Sequence, residues 1–158
     1  MNTLFSKDIT LDSVNHLYKL TSDPDFKFTS STQFISNFFE KFDPEIVAEK
    51  LVNQIPRYKS YTIQELLNEW TQASEFGKKI HNQIEIFIKT NKNPDEPRAI
   101  DAINWLNREY SNTNCKLYSE VVIYSTEIKI AGTIDLLVLN PDTNQYTIID
   151  WKTSKKIP

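Results

Sequence analysis

The sequence predicts an α+β fold in which a helical N-terminal half is followed by a three-stranded antiparallel meander. Between positions 32 and 110, apolar residues recur every three or four positions, in segments bounded by capping residues and prolines. After position 115, the chain changes to short segments rich in Val, Ile, Leu, Thr and Tyr, with turn residues between them. The 158 residues are enough for one domain with its own core.

The first 30 residues have only a weak pattern. We expect residues 1–30 to form a loosely structured lead-in segment, with a short helix around Ser13–Leu20. No internal repeat or linker divides the rest of the chain, so residues 31–158 are predicted to form a single domain.

Four helical regions follow, each marked by its start. Thr32–Phe42 carries an apolar stripe after a run of capping serines. Pro44–Gln54 opens with proline at the tolerated first helical position. Thr62–Glu65 is a capping-box pattern, and the helical periodicity after it extends through Ser74–Lys89 as either one helix or two. Arg98–Tyr110 is the last predicted helix.

The strands are predicted from their β-branched and aromatic content. They are Lys116–Tyr124, Glu127–Leu139 and Gln145–Trp151. The turns between them are a two-residue turn at Ser125-Thr126 and a longer one at Asn140–Asn144. Because these turns are short, consecutive strands should pair antiparallel.

Composition excludes several classes of function. With only Gly77 and Gly132, the chain lacks a glycine-rich phosphate-binding loop. Cys115 is the only cysteine, which excludes a cysteine-based zinc cluster and fits a reducing intracellular compartment. There is no hydrophobic signal core, and no apolar run approaches the roughly 20 residues of a membrane span, so we expect neither secretion nor a membrane partner. The net charge of −3 means that contacts with phosphates would come from a local basic patch.

The last two predicted strands bring two aspartates together. If the loop Pro141–Asn144 closes symmetrically, Asn140 pairs with Gln145, and counting back along both strands places Asp135 directly opposite Asp150. Their Cβ atoms would then lie about 5 Å apart on one face, where like charges repel. A divalent cation between the two carboxylates removes that penalty.

Strand alternation adds two more groups to this face. Lys152 lies two residues after Asp150 and so returns to the same side of the strand. The two-residue turn predicted before Glu127 would pair Glu120 with Ala131, which also points Glu120 to this face. The opposite face carries residues that can bury against the helices: Ile134, Leu136, Ile149 and Trp151.

An Asp-x-Lys tripeptide alone is more often a solvated strand edge than a catalytic site. Here it belongs to a longer ordered pattern, in which Gly132-Thr133-Ile134-Asp135 is followed by a hydrophobic strand, a turn and Ile149-Asp150-Trp151-Lys152-Thr153-Ser154. This pattern resembles the PD-(D/E)XK nuclease superfamily, specifically its RecB-like exonuclease branch. The final stretch is similar to the mitochondrial genome maintenance exonucleases and to related viral or phage nucleases. The resemblance covers about residues 28–158.

Three further motifs carry the resemblance. The branch has a Gly-x-x-x-His-x-x-x-Glu helix ahead of its sheet, and Gly77, His81 and Glu85 have that spacing here. A glutamate on its first core strand corresponds to Glu120. The segment Ser30-Ser31-Thr32 is similar to the branch's Ser-x-Thr helix start, which is often near the nucleic acid.

The resemblance implies a restriction-endonuclease-like core with a Mg²⁺ or Mn²⁺ site. The implied metal ligands are His81, Asp135, Asp150 and the backbone carbonyl of Trp151. Lys152 would orient or activate the attacking water, with Glu120 as a further catalytic residue. The implied nucleic-acid contacts are Ser30, Thr32, Thr153 and Ser154.

The same residues also have simpler interpretations. A histidine beside Ile80 and Ile84 on an apolar helix is, by itself, more often structural than a ligand. Glu85, one turn after His81, either orients the imidazole or lies on the surface. Trp70, Trp105 and Trp151 are expected in the core.

The expected function is metal-dependent hydrolysis of DNA phosphodiester bonds by an intracellular exonuclease in repair, replication or recombination. Its location would be the cytoplasm, the nucleus or a viral factory, and its substrate single-stranded DNA or DNA with free ends. Two alternatives are a noncatalytic nucleic-acid-binding module and a structural domain with a solvated acidic face. Members of the family usually continue with a further helix and strand, so we expect the domain to be incomplete at its C-terminus.

Overall fold

The computed structural model describes residues 8–12, 15 and 17–153, and its helices all precede the three longest strands. The helices are α1 (Ser31–Ser36), α2 (Pro44–Gln54), α3 (Ile63–Thr90) and α4 (Pro97–Tyr110), with a short 3₁₀ turn at Pro56–Tyr58. The strands are β1 (Ile9–Asp12), β2 (Leu17–Leu20), β3 (Thr29–Ser30), β4 (Lys116–Ser125), β5 (Ile130–Asn140) and β6 (Gln145–Ile149). The predicted α+β class is confirmed.

Helices α2 and α3 begin where the sequence predicts, and a side-chain cap lies at the start of each. The Asp43 carboxylate accepts the backbone N–H groups of Glu45 and Ile46 at 3.1 and 3.2 Å. The Thr62 hydroxyl accepts the Glu65 N–H at 3.2 Å, and the Glu65 carboxylate accepts the Thr62 N–H at 2.8 Å. Past this capping box, α3 runs for 28 residues as one continuous helix, about 42 Å long. Despite this length, no helix among the described residues is long and apolar enough to cross a bilayer.

The main core lies between α3, α4 and one face of the sheet. Its buried members are Ile80 and Ile84 from α3, Ala99, Ile103 and Leu106 from α4, and Leu136 and Val138 from β5. Trp105 and Trp151 pack against this cluster, with ring centroids 6.0 Å apart in an edge-to-face arrangement. The predicted placement of these two tryptophans is confirmed.

Strand β5 is the centre of the larger sheet. Strand β4 pairs antiparallel with β5 from Lys116 to Ser125, except at Glu120. The other edge of β5 is shared, because β3 pairs parallel with Ile130–Ala131 and β6 pairs antiparallel with Leu136–Asn140. Between these two partners, Gly132–Asp135 has no strand on that edge among the described residues. This interruption positions the candidate site.

The helix predicted around Ser13–Leu20 is wrong. Leu17–Leu20 is strand β2, which pairs antiparallel with β1, and Ile9 opposes Leu20. Both residues of that pair are buried beside Ala131 of β5, so alternate residues face the sheet as a strand requires. Ser13, Val14 and His16 lie outside the described residues.

The helix predicted over Thr32–Phe42 is too long. Helix α1 ends at Ser36, and the N–H groups of Phe38 and Phe39 bond to carbonyls three residues earlier, which makes a tight turn instead of another α-helical turn. The apolar stripe that suggested a longer helix has no core to pack against, since Phe38 and Phe39 are 70% and 71% exposed.

The turn between β4 and β5 is longer than predicted. It spans Thr126–Lys129, so Ser125 pairs with Ile130 and the register moves by four positions. Glu120 therefore lies across from Asp135 and not from Ala131 as predicted. The shift is an even number of residues, so the new register does not by itself reverse the faces of β4.

Candidate functional site

The candidate site begins where the β5–β6 ladder ends. The predicted register is confirmed, with Asn140 opposite Gln145, but the ladder stops at the pair Leu136 and Ile149. Asp135 and Asp150 would form the next pair, and the structure corrects that prediction. The Asp135 carboxylate turns to the main chain instead, and its Oδ2 accepts the Trp151 N–H at 2.8 Å.

Helix α3 adds an imidazole at the same point. His81 Nε2 lies 3.0 Å from the Trp151 carbonyl oxygen, and His81 Nδ1 lies 3.6 Å from Asp135 Oδ2. An imidazole, a carboxylate and a main-chain carbonyl thus meet, although 70 residues separate His81 from Trp151. The structure brings together these three sequence-predicted groups.

Contacts with two helices hold the segment after β6 in place. A Cβ on Gly77 would lie 3.1 Å from Thr153 Oγ1, so glycine allows this segment to approach α3 closely. Arg98 at the start of α4 donates from Nη1 to the Thr153 carbonyl at 2.7 Å. Sequence reasoning gave Arg98 no role, because its partner lies 55 residues away and no local pattern links them.

Asp150 and Lys152 form an exposed ion pair beside this centre. Lys152 Nζ lies 2.7 Å from Asp150 Oδ2, with the two side chains 72% and 59% exposed. The hydrogen bond and charge of Asp150 raise the pKa of Lys152, and the charge of Asp135 raises it further. Lys152 is therefore a cation at neutral pH and lies within the electrostatic influence of both aspartates.

Glu120 occupies an unusual backbone position for a strand residue. Its φ of 52° is in the left-handed region, and its pairing with Asp135 is missing from an otherwise regular β4–β5 ladder. Burial raises the pKa of the Glu120 carboxyl, and the nearby charges of Glu85 and Asp135 raise it further, whereas His81 opposes them. The charges near Glu120 therefore have a net negative effect on its carboxyl group.

Glu85 makes its contact with Lys89, one helical turn further along α3. The sequence left open whether Glu85 orients the imidazole of His81 or lies on the surface. The contact that is observed is with Lys89 and not with His81. Glu85 instead contributes charge close to Glu120.

The predicted nucleic-acid contacts do not all lie at this centre. The Ser30 hydroxyl caps α1 by accepting the Gln33 N–H at 3.1 Å, and Thr32 is exposed on that helix. Ser30 pairs with Ala131, four residues or about 13 Å along β5 from Asp135. Thr153 does lie beside α3, near His81, and Ser154 is outside the described residues.

The donor groups suit a hard divalent cation in their chemistry. Carboxylate and carbonyl oxygens are preferred by Mg²⁺ and Mn²⁺, and an imidazole favours Mn²⁺. Within residues 8–12, 15 and 17–153, no three His, Cys, Asp or Glu side chains are close enough together to hold one ion. The fit therefore depends on the Trp151 carbonyl as well as on His81 and Asp135. A cation there would also offset the repulsion among Glu120, Glu85 and Asp135 that raises the Glu120 pKa.

Comparisons with protein-family models, with curated proteins and with solved structures found no match. The resemblance to the PD-(D/E)XK nucleases therefore depends on the sequence motifs themselves. The geometry at the β5 edge is an independent observation about the same residues.

Proposed function

We propose that this protein is a metal-dependent nuclease of the PD-(D/E)XK type that hydrolyses DNA phosphodiester bonds as an exonuclease. One observation carries the proposal. His81 from α3, Asp135 from β5 and the Trp151 carbonyl converge within hydrogen-bonding or ion-pairing distance at an interruption of the sheet edge. A structural role alone does not require a histidine and an aspartate from distant elements to converge on the Trp151 main chain there.

In this proposal, His81, Asp135, Asp150 and the Trp151 carbonyl hold a Mg²⁺ or Mn²⁺ ion. Such an ion would neutralise charge on a phosphate and lower the pKa of a bound water. The hydrogen bond from the Trp151 N–H fixes one oxygen of Asp135, which leaves its other oxygen as the donor. The exposed Asp150 carboxylate would have to turn from its contact with Lys152 toward the ion to complete this set.

Lys152 acts in this proposal through its positive charge. Its raised pKa keeps the ammonium protonated, so it stabilises negative charge on the phosphate during attack and does not remove a proton from water. Asp150 positions the ammonium through the 2.7 Å contact. The half-buried Glu120 adds negative charge that favours binding of the cation.

The test is cleavage of end-labelled single- and double-stranded DNA with Mn²⁺ or Mg²⁺, and with EDTA as the metal-free control. Lys152→Ala and Asp135→Asn should each lower the rate by about 10² to 10³, as removal of one charge-stabilising group does. Lys116→Ala, which changes an exposed lysine at the start of β4, is the matched control and should leave the rate unchanged. Equal rates for wild type and Lys152→Ala would refute the nuclease assignment.

The same preparation separates the two alternatives. DNA binding without any metal-dependent turnover would indicate a noncatalytic nucleic-acid-binding module. Absence of both DNA binding and a Mn²⁺ site would indicate a structural domain. In the first case Asp135→Asn should leave DNA affinity unchanged, because Asp135 would then bind no ion.

A further inference from the structure

One face of α3 continues from the candidate site toward the N-terminal end of that helix. The residues on this face recur every three or four positions: Leu67, Thr71, Ser74, Lys78, His81 and Glu85. Because α3 is a single uninterrupted helix, this face is continuous. It is a surface on which an elongated ligand could lie.

Two surface depressions lie along this face. The inner one, of about 420 Å³, is lined by His81, Glu120 and Thr153, among others, and so opens onto the candidate site. The outer one, of about 510 Å³, is lined by Phe42 and Trp70 at its far end. Ser74 and Lys78 line both depressions, so the two adjoin and form one groove.

The outer end of the groove offers aromatic rings. Phe42 and Trp70 have ring centroids 6.2 Å apart, and Phe42 is 66% exposed. An exposed phenylalanine beside a half-buried tryptophan at the end of a groove is unusual for a core contact. Aromatic side chains of this kind stack on nucleobases, each of which has a π-face.

The junction of the two depressions offers a cation. Lys78 is exposed and makes no ion pair with any residue that the structure describes. By contrast, its neighbour Lys79 points its ammonium at Glu96, at 3.0 Å. Lys78 is therefore available for a ligand phosphate at the point where a strand would pass between the two depressions.

We propose that this groove binds single-stranded nucleic acid, with a base stacked on Phe42 and Trp70 and a phosphate at Lys78. The inference rests on the proposed function, since it assumes that the strand ends at the His81 site. From Trp70 to His81 the helix rises about 16 Å. That distance holds about five nucleotides at a stacked spacing of about 3.4 Å, and fewer if the strand is extended.

The charges of the groove define how the strand binds. Glu45 and Glu75 also line the outer depression, and their carboxylates repel phosphates there. The outer contact is therefore made through the base and not through the backbone, and Lys78 supplies the main phosphate contact. The logarithm of the affinity should accordingly depend only weakly on the logarithm of the salt concentration, with a slope that falls by about 0.7 when Lys78 is removed.

The test is the affinity of the full chain for a fluorescent eight-nucleotide oligothymidine, measured by anisotropy in EDTA so that cleavage cannot interfere. Phe42→Ala and Trp70→Ala should each weaken binding by about 5- to 100-fold, the range expected for loss of one base stack. Trp70→Phe keeps an aromatic ring and should bind within about threefold of wild type. If Trp70→Ala fails to fold, the exposed Phe42 still provides the measurement.

Controls come from the same surface region. Phe38→Ala removes an equally exposed phenylalanine that does not line the groove, and Lys50→Ala removes an exposed lysine of α2. Both should bind like wild type, whereas Lys78→Ala should bind several-fold more weakly.

The outcomes separate this inference from the nuclease assignment. Unchanged affinity in Phe42→Ala and Trp70→Ala would overturn the groove, even if the wild type cleaves DNA. The expected loss in these variants would support the groove, even if the wild type never cleaves DNA. A different outcome is that a basic peptide displaces the oligomer from wild type but not from Glu45→Gln/Glu75→Gln. That result would overturn the nucleic-acid groove in favour of a peptide site.

Discussion

Glu120 combines a left-handed backbone with a half-buried carboxyl next to other acids. A non-glycine residue with φ near 52° costs about 1 kcal/mol or more, and such positions cluster at functional sites. The raised pKa of the carboxyl has burial as its main cause, followed by Glu85 and Asp135. Both features oppose folding and both occur at one residue. Glu120 is therefore a position where the fold gives up stability, and it lies beside the candidate site.

Replacing Glu120 with glutamine should therefore stabilise the metal-free protein at neutral pH. The folded-state pKa lies above the ordinary value of 4.5. Below pH 4.5 the carboxyl is neutral in both states, so wild type and Glu120→Gln should differ little. As the pH rises through the folded-state pKa, the unfolded chain ionises more readily, which favours unfolding of the wild type.

Thermal melts in EDTA between pH 4 and pH 8 measure this difference. The gap in melting temperature should open above pH 4.5 and then become constant. Glu127→Gln is the control, because Glu127 is exposed in the β4–β5 turn. A gap that is largest at pH 4 would contradict the prediction.

The two glycines give a second test at the scale of single residues. A Cβ on Gly132 would lie 2.7 Å from Ser31 Oγ and 3.3 Å from Ser31 Cβ, at the start of α1. Gly132→Ala should cost about 1–3 kcal/mol in urea unfolding, the usual effect of overpacking. Gly77→Ala meets only the hydroxyl of Thr153, which can rotate, and gains about 1 kcal/mol of helix propensity. The free energy of unfolding of Gly77→Ala should therefore stay within about 1 kcal/mol of wild type. Equal destabilisation in Gly77→Ala and Gly132→Ala would show that the close approach of α1 to Gly132 is unimportant.

At the scale of elements, α3 connects the fold to the site. Its inner face supplies Ile80 and Ile84 to the core, and its outer face supplies His81. The capping box at Thr62 fixes where this helix begins. Any change that frays the first turn should therefore leave the site intact, because His81 lies five turns further along.

Thr62→Ala tests this separation. Loss of the cap should lower the free energy of unfolding by about 1 kcal/mol, as measured by urea denaturation. Metal binding and any DNA cleavage should keep their wild-type values. Thr71→Ala is the control, since the Thr71 hydroxyl donates to the Leu67 carbonyl within the helix and caps nothing. Loss of metal binding in Thr62→Ala would show that the two ends of α3 are coupled.

Local patterns were sufficient for most helices and for one hairpin. Pro44 and the capping box at Thr62 predicted two helix starts, because each signal lies within a few neighbouring residues. The loop Pro141–Asn144 fixed the β5–β6 register for the same reason. The β4–β5 register was wrong because Thr126–Lys129 forms a four-residue turn, and nothing in its composition distinguishes it from a shorter one.

Non-local contacts account for what was missed. Strand β3 is only two residues long and pairs parallel with β5, about 100 positions later, which no local pattern encodes. The β1–β2 hairpin is stabilised by Ala131 in the same way. At the site, His81, Asp135 and Trp151 lie together, but the sequence did not predict that the ladder ends at Ile149. Asp135 therefore bonds to the main chain and does not face Asp150 directly.

At the scale of the whole molecule, the proposed metal should behave as a ligand of the folded state. Mn²⁺ at about 100 times its dissociation constant should stabilise the protein by about 2.7 kcal/mol. This should appear as a higher melting temperature in wild type, and Asp135→Asn or His81→Ala should abolish it. Asp142→Asn, in the exposed turn after β5, is the matched control and should respond like wild type. A full Mn²⁺ response in Asp135→Asn would exclude this site.

The hydrogen bond between His81 and Trp151 has a consequence for biosynthesis. The ribosome synthesises the chain from its N-terminus, so α3 can form long before β6 has been synthesised. The two partners are 70 positions apart, so the contact of His81 cannot form until the segment that contains Trp151 has been synthesised. Loop closure over that length is slow compared with helix formation. The candidate site is therefore assembled only when synthesis of the described fold is nearly over. A nascent polypeptide that stalls before Trp151 lacks the carbonyl group that His81 contacts.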